Sequence, residues 1–203
     1  ASDFEVTGEL NPIYDGFGHK VAVKATDSKY DGKLTVTYKQ GEEVVAEPTN
    51  AGTYEIWVSA EATATYEAIS KKLDEKIVIA KATTTAGHAF SYEDEILTFD
   101  DATKTAAVTA NELINGFKAT PVITYKKDGV EVTSPKEIGV YEVWVGAAES
   151  DNYNAIESAK LGTMTIKDPA AEAFDITGTI VSWDDVNNAE IKLYDTTGED
   201  ALD

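Results

Sequence analysis

The chain repeats itself, and that constrains its fold more than any composition figure. Leu34-Thr-Val-Thr-Tyr38-Lys39 is matched by Pro121-Val-Ile-Thr-Tyr125-Lys126. Tyr54-Glu-Ile-Trp57-Val58 is matched by Tyr141-Glu-Val-Trp144-Val145, Tyr66-Glu-Ala-Ile69 by Tyr153-Asn-Ala-Ile156, and Lys76-Ile-Val-Ile79 by Thr163-Met-Thr-Ile166. Trp57 to Trp144 gives an offset of 87, which slips to 85 upstream, where Tyr14-Asp15-Gly16 faces Phe99-Asp100-Asp101. Self-similarity on this scale means each copy is one structural unit. The boundaries expected are residues 1–82 for the first unit and 83–168 for the second. Residues 169–203 form a β extension or the start of a third module.

Inside each copy the patterning is β. Short runs of alternating apolar and polar residues are separated by Gly, Asn, Asp and Pro. In the first copy they are His19–Lys24, Leu34–Lys39, Thr53–Ala60 and Glu75–Ala80. Turns are expected at Lys39-Gln-Gly41-Glu42 and Lys127-Asp128-Gly129-Val130, and Pro48 and Pro135 mark the loop before each tryptophan strand. Six or seven strands in about 80 residues predict a small sandwich. The fold class is therefore all-β, with two tandem Ig-like antiparallel β-sandwiches and a short C-terminal β extension. Asn111–Lys118 is the longest helix candidate, and residues 81–87 and 167–173 are expected linkers. Beyond them, Phe174–Trp183 and Glu190–Tyr194 are two strands around a loop, too few to bury a core alone.

The string Tyr14-Asp15-Gly16, Val36-Thr-Tyr38-Lys39, Pro48-Thr-Asn-Ala-Gly-Thr-Tyr54 and Ile77-Val-Ile-Ala-Lys-Ala82 resembles the bacterial Ig-like repeats of the MBG/YDG type. The second copy keeps only Pro, Gly and Tyr of the central motif, in Pro135-Lys-Glu-Ile-Gly-Val-Tyr141. The resemblance implies secreted or cell-surface proteins of gut and oral bacteria, with a spacer or adhesin role and no enzyme. It also implies a small polar residue at the position of Trp57, so tryptophan is a departure in both copies. Residues 175–198 resemble the opening strands of carboxypeptidase-regulatory-like modules.

Strand alternation sets Tyr54, Ile56 and Val58 on one face and Glu55, Trp57 and Ser59 on the other. The apolar set faces the core, which leaves Trp57, and likewise Trp144, on the solvent side. Thr37 and Lys39, and Thr124 and Lys126, fall on the same outward faces beside Glu55 and Glu142. An indole plate ringed by ammonium, hydroxyl and carboxylate suits a hydroxyl-rich ligand, because a rigid ring costs little entropy to order. The competing reading has each tryptophan packed against the other module as interface. Two plates in one chain bring avidity for a polymer. The candidate ligand is a neutral polysaccharide, with an α-glucan such as starch preferred over cellulose, which calls for three coplanar aromatics. The acidic, arginine-free setting resembles that of ruminococcal starch-binding modules. The rivals are a spacer or stalk and a protein-binding adhesin. Trp183 reads as a packing residue. Tyr54, Tyr141, Tyr66 and Tyr153 read as core, and Tyr14 and Tyr30 as exposed beside turns.

Charge narrows the partners. Seventeen cationic residues, all lysine, stand against 37 acidic ones, a net of −20 spread along the chain. Such a surface repels phosphate backbones and anionic lipids. The chain is thus expected to bind no nucleic acid and to insert in no membrane, while the resemblance implies a monomeric part of a larger multimodular protein, secreted or at the cell surface. There is no cysteine, as in proteins that do not depend on disulfides. His19 and His88 lie far apart, and no motif marks a catalytic carboxylate pair, so neither enzymatic activity nor a cofactor is expected. Residues 184–190 lack the glycine and terminal carboxylate spacing of a calcium loop. Glu93-Asp94-Glu95 with Asp100-Asp101 reads as a solvated acidic face.

Overall fold

Alternation of large apolar and polar residues builds two β lobes, each closed around its own core. A computed structural model describes residues 3–169 and, beyond them, the backbone of 183–184 and 190–191. In the first lobe, strands β3 (Leu34–Gln40), β4 (Glu43–Val45), β5 (Gly52–Ala60) and β6 (Ile69–Ile79) form an antiparallel sheet in the order β4-β3-β5-β6. A ribbon of β1 (Phe4–Thr7) and β2 (Ala22–Ala25) lies across it. Phe4 and Val21 from the ribbon side meet Tyr38, Tyr54, Ile56, Val58, Leu73, Ile77 and Ile79 from the sheet in one buried cluster. The mostly β content and antiparallel sheets make this an all-β sandwich fold.

The second lobe reuses the plan. Its β10 (Val122–Lys127), β11 (Val130–Val132), β12 (Gly139–Ala147) and β13 (Ile156–Lys167) follow the order β11-β10-β12-β13, with β7 (Phe90–Ser91) and β9 (Thr109–Ala110) as the ribbon. One pairing departs from the antiparallel expectation: β8 (Glu95–Thr98) runs parallel to β13, from Met164↔Glu95 to Lys167↔Thr98. The first lobe makes a shorter version, where Leu10 O and Pro12 O accept Val78 N and Ala80 N. The β10–β11 hairpin turns on Asp128 (φ 51°) and Gly129 (φ 80°), a primed turn that follows the strand twist.

Tyrosine hydroxyls tie the loops down in matching pairs. Tyr38 OH accepts Val21 N at 3.0 Å, and Tyr125 OH accepts Ala106 N at 2.9 Å. Tyr54 OH donates to Asn50 O at 2.8 Å, and Tyr141 OH to Glu137 O at 2.7 Å. These bonds let a phenol sit in an apolar core without an orphaned polar atom.

Several expectations are corrected. The short linker expected over 81–87 is bonded to the second lobe at Ala82, whose N donates to Asn152 O and whose O accepts Asn154 N, both at 2.9 Å. A one-turn helix, α1 (Ala86–Ala89), follows and buries two alanines. The helix expected over 111–118 shrinks to a 3-10 turn at Ile114–Gly116, because Asn115 takes a left-handed φ of 55°. Tyr14 is buried, its ring edge-on to Tyr153 at 5.8 Å. Tyr66 leaves the core; its hydroxyl donates instead to Asp27 Oδ2 at 2.6 Å on the surface. Of the C-terminal segment, Trp183–Asp184 pairs antiparallel with Glu190–Ile191; the packing role expected for Trp183 lies outside the described residues.

Candidate binding face

Cross-strand register brings the outward residues together. Trp57 lies opposite Thr37 on β3 and Lys72 on β6, while Glu55 lies opposite Lys39 and Lys76. In the second lobe Trp144 lies opposite Thr124 and Lys160, and Glu142 opposite Lys126 and Thr163. Paired residues share a face, so every expected residue stands on the outer surface of its sheet.

The indoles are not bare. Both tryptophans are half-buried, each in contact with a lysine of the neighbouring strand and a glutamate of its own. Lys39 Nζ sits 4.4 Å from the Trp57 ring centroid, and Lys126 Nζ 3.9 Å from that of Trp144. Trp57 Nε1 donates to Glu55 Oε2 at 3.1 Å and Trp144 Nε1 to Glu142 Oε2 at 3.0 Å. The second oxygen of Glu55 is held by Lys72, and that of Glu142 by Lys160 at 2.8 Å. The Lys72 hydrogen bond, and after it the Trp57 indole, hold the Glu55 carboxyl below the ordinary carboxylate range. Lys160 and then Trp144 do the same for Glu142. Each plate thus reads Lys–Trp–Glu–Lys, with two ammonium groups to one carboxylate on an otherwise acidic protein.

Sequence reasoning missed Lys72 and Lys160. At an offset of 87, Lys72 aligns with Ala159, so no lysine pair is visible. Bulges restore the match. Gly52–Ala60 spans eight steps against ten on Ile69–Ile79, and Gly139–Ala147 spans eight against ten on Ile156–Ile166. In the first lobe both extra residues lie between Lys72 and Lys76. In the second, one lies between Ile156 and Ala159 and one between Lys160 and Gly162. An extra residue shifts everything beyond it, and here it moves Lys160 into the place held by Lys72. Gly146 makes room, since a Cβ there would meet Ile156 O at 2.7 Å.

The plate has the parts to bind a hydroxyl-rich ring. The indole supplies an apolar face, the lysines donors, Glu an acceptor and Thr a hydroxyl. Moving the covering lysine aside costs about 0.5–1 kcal/mol for an exposed cation–π contact. The acidic stretch at 93–95 is engaged otherwise: Asp94 Oδ1 accepts Thr163 N and Glu95 Oε1 accepts Ala107 N, both at 2.7 Å. Among the described residues no cluster of three or more His, Asp or Glu is set to hold a metal.

Residues 5–83 match the family model of the MBG domain. The matched segment is the first lobe, and it contains Lys39, Glu55, Trp57 and Lys72. No curated protein and no solved structure matches the chain. The Pro48–Tyr54 motif of the MBG-matched lobe has a structural reason: Pro48 is fully buried, Pro48 O accepts His19 N, and Asn50 O accepts the Tyr54 hydroxyl.

Proposed function

We propose that this chain is a non-catalytic binding unit of a secreted or cell-surface protein, and that its two plates bind a neutral polysaccharide. An α-glucan such as starch is the preferred ligand. The MBG match of the first lobe supports a non-catalytic surface or adhesin-type repeat; the carbohydrate reading goes further and rests on the plates. One observation carries it: the Lys–Trp–Glu–Lys arrangement is rebuilt in the second lobe through a different bulge pattern, although sequence alignment would put an alanine in it. Trp57 and Trp144 stack on sugar rings, Lys39, Lys126, Thr37 and Thr124 bond hydroxyls, and Glu55 and Glu142 fix the indoles. The net charge of −20 disfavours polyanionic glycans, nucleic acid and anionic lipid as partners.

Native affinity electrophoresis in amylopectin tests this. The wild-type chain is retarded, and Trp57→Ala and Trp144→Ala each weaken binding about tenfold, the cost of losing a central aromatic anchor. An unretarded wild type refutes the glucan, and a double variant retarded like wild type refutes the plates. A second reading, a rigid spacer, is favoured by the hydrogen-bonded joint at Ala82; it predicts no retardation in any glycan gel.

A further inference from the structure

The loops that precede the last long strand of each lobe carry the same turn in different surroundings. Thr63 N donates to Tyr66 O at 2.9 Å and Tyr66 N to Thr63 Oγ1 at 3.1 Å. Ser150 N donates to Tyr153 O at 3.0 Å and Tyr153 N to Ser150 Oγ at 3.2 Å. In the second lobe this loop is covered by the joint. Ala82 makes a parallel bridge with it, donating to Asn152 O and accepting from Asn154 N. The alanines of α1 pack beyond it, and Tyr153 and Ile156 are each 4% exposed.

In the first lobe the same loop is open. Thr65 N turns back to Thr63 Oγ1 at 3.3 Å, but among the described residues nothing pairs with Thr65 O or Glu67 N, the counterparts of the bridged Asn152 O and Asn154 N. Ile69, the counterpart of Ile156, is 44% exposed. A cleft of about 440 Å³ lies there, lined by Phe4, Tyr30, Tyr66 and Ile69 and by Asp3 and Asp27, of which Asp3 also pairs with Lys71 at 3.1 Å and Asp27 accepts the Tyr66 hydroxyl. Tyr30 and Tyr66 meet edge to face at 5.7 Å.

We infer that this cleft is a docking site for the strand end of a neighbouring β-sandwich unit, which would enter as Ala82 enters the second lobe. The chemistry of the occupant is read from the joint itself. It is a segment extended at the bridging residue and closing in one helical turn, with small apolar residues where Ala82, Ala86 and Ala89 are buried and a basic residue beside them as Lys81 is. Its N–H bonds Thr65 O and its C=O accepts from Glu67 N, a one-residue parallel form of strand addition. Its ammonium group faces an acidic rim, as Lys81 faces Glu149 at 3.1 Å in the joint. The inference does not depend on the tryptophan plates.

The test uses the whole chain, labelled with ¹⁵N, and a synthetic peptide of its own residues 78–89. Saturable amide shifts are expected at residues 63–69, Tyr30 and Phe4, with a dissociation constant of about 1 mM or tighter. An Ala82→Pro peptide lacks the bridging N–H and should bind at least about tenfold more weakly. Ile69→Asp in the protein should do the same while leaving the remaining amide spectrum unchanged. Shifts that fail to saturate, that fall elsewhere, or that persist equally with the Ala82→Pro peptide overturn the proposal. So do shifts at these residues from a linear malto-oligosaccharide with none from the peptide.

Discussion

Tyr153→Ala and Tyr66→Ala are the same substitution in the same turn, and they should have unequal effects. Tyr153 is 4% exposed, stacked on Phe117 at 5.3 Å, edge-on to Tyr14 at 5.8 Å, and its hydroxyl accepts Ile114 N at 3.0 Å. Truncating a buried aromatic costs about 3–5 kcal/mol, and orphaning the Ile114 N–H adds about 1 kcal/mol. Tyr66 is only partly buried and its hydroxyl bond is to a surface carboxylate, so its truncation should cost much less, as substitutions outside a packed core do. The stronger contrast concerns which lobe responds. Tyr153 belongs by chain position to the second lobe, yet it is buried in the core cluster of the first. Urea unfolding can be followed with Trp57 or Trp144 as the reporter, the other and Trp183 being replaced by Phe. Tyr153→Ala should lower the midpoint seen by both reporters, and Tyr66→Ala only that seen by Trp57. Equal losses from the two variants, or a Tyr153→Ala effect confined to the Trp144 reporter, would refute a shared core at the joint.

Two further outcomes concern the plate. Glu55 and Glu142 have depressed folded-state pKa values, so the plate's contribution is fully present above the unfolded carboxylate pKa and is lost as pH falls through the folded one. Indole emission should therefore hold steady from pH 7 down through the ordinary glutamate value of about 4.3 and change only below it; a transition centred at or above that value contradicts the Lys–Glu–Trp bonding. Gly146→Val drives a side chain into Ile156 O, where even a Cβ would stand at 2.7 Å, and costs about 1–3 kcal/mol as overpacking. If the bulge sets the register, this variant should also weaken glycan retention as much as Lys160→Ala does, and full retention in a folded Gly146→Val protein shows that the bulge is dispensable.

What could be read from the sequence is what depends on period and local chemistry. Period-two alternation places Trp57, Glu55, Thr37 and Lys39 outward without any structure, because successive strand side chains must alternate. The Tyr54 hydroxyl bonding back to its own loop is equally local. The hidden parts depend on count rather than on pattern. Lys160 enters its plate because extra residues opposite β12 displace it, and alignment at constant offset points to Ala159. Tyr66 and Tyr153 share the same Tyr-x-Ala-Ile motif, and the packing of the other lobe against one side makes the second a core residue. The covering lysines illustrate a third kind of miss. A cationic neighbour two residues along an adjacent strand could be foreseen, but that it would lie over the ring at 3.9–4.4 Å is a matter of side-chain conformation.

The joint also governs how the two plates act together. Asn152 Oδ1 accepts Ala51 N at 2.8 Å, and Asn152 Nδ2 donates to Asn50 Oδ1 at 3.0 Å. Asn50 and Ala51 lead directly into β5, which carries Trp57, and Asn152 follows β12, which carries Trp144. One side chain therefore ties the start of one tryptophan strand to the loop after the other. A flexible linker would leave the second plate to find a polymer by diffusion over a range of separations, at an effective concentration set by linker length. A bonded joint removes that range: the ordering entropy is lost on folding rather than on binding. Such a pair gains avidity only for a ligand whose own repeat fits the fixed separation, and gains none for one that does not. If the plates bind a polysaccharide as proposed, the bonded joint at Ala82 and Asn152 would act as a filter on polymer conformation, separate from the stacking chemistry of either indole. It follows that Tyr153→Ala, which touches neither plate, should reduce retention by a polymer far more than it reduces binding of a short oligosaccharide that occupies one plate at a time.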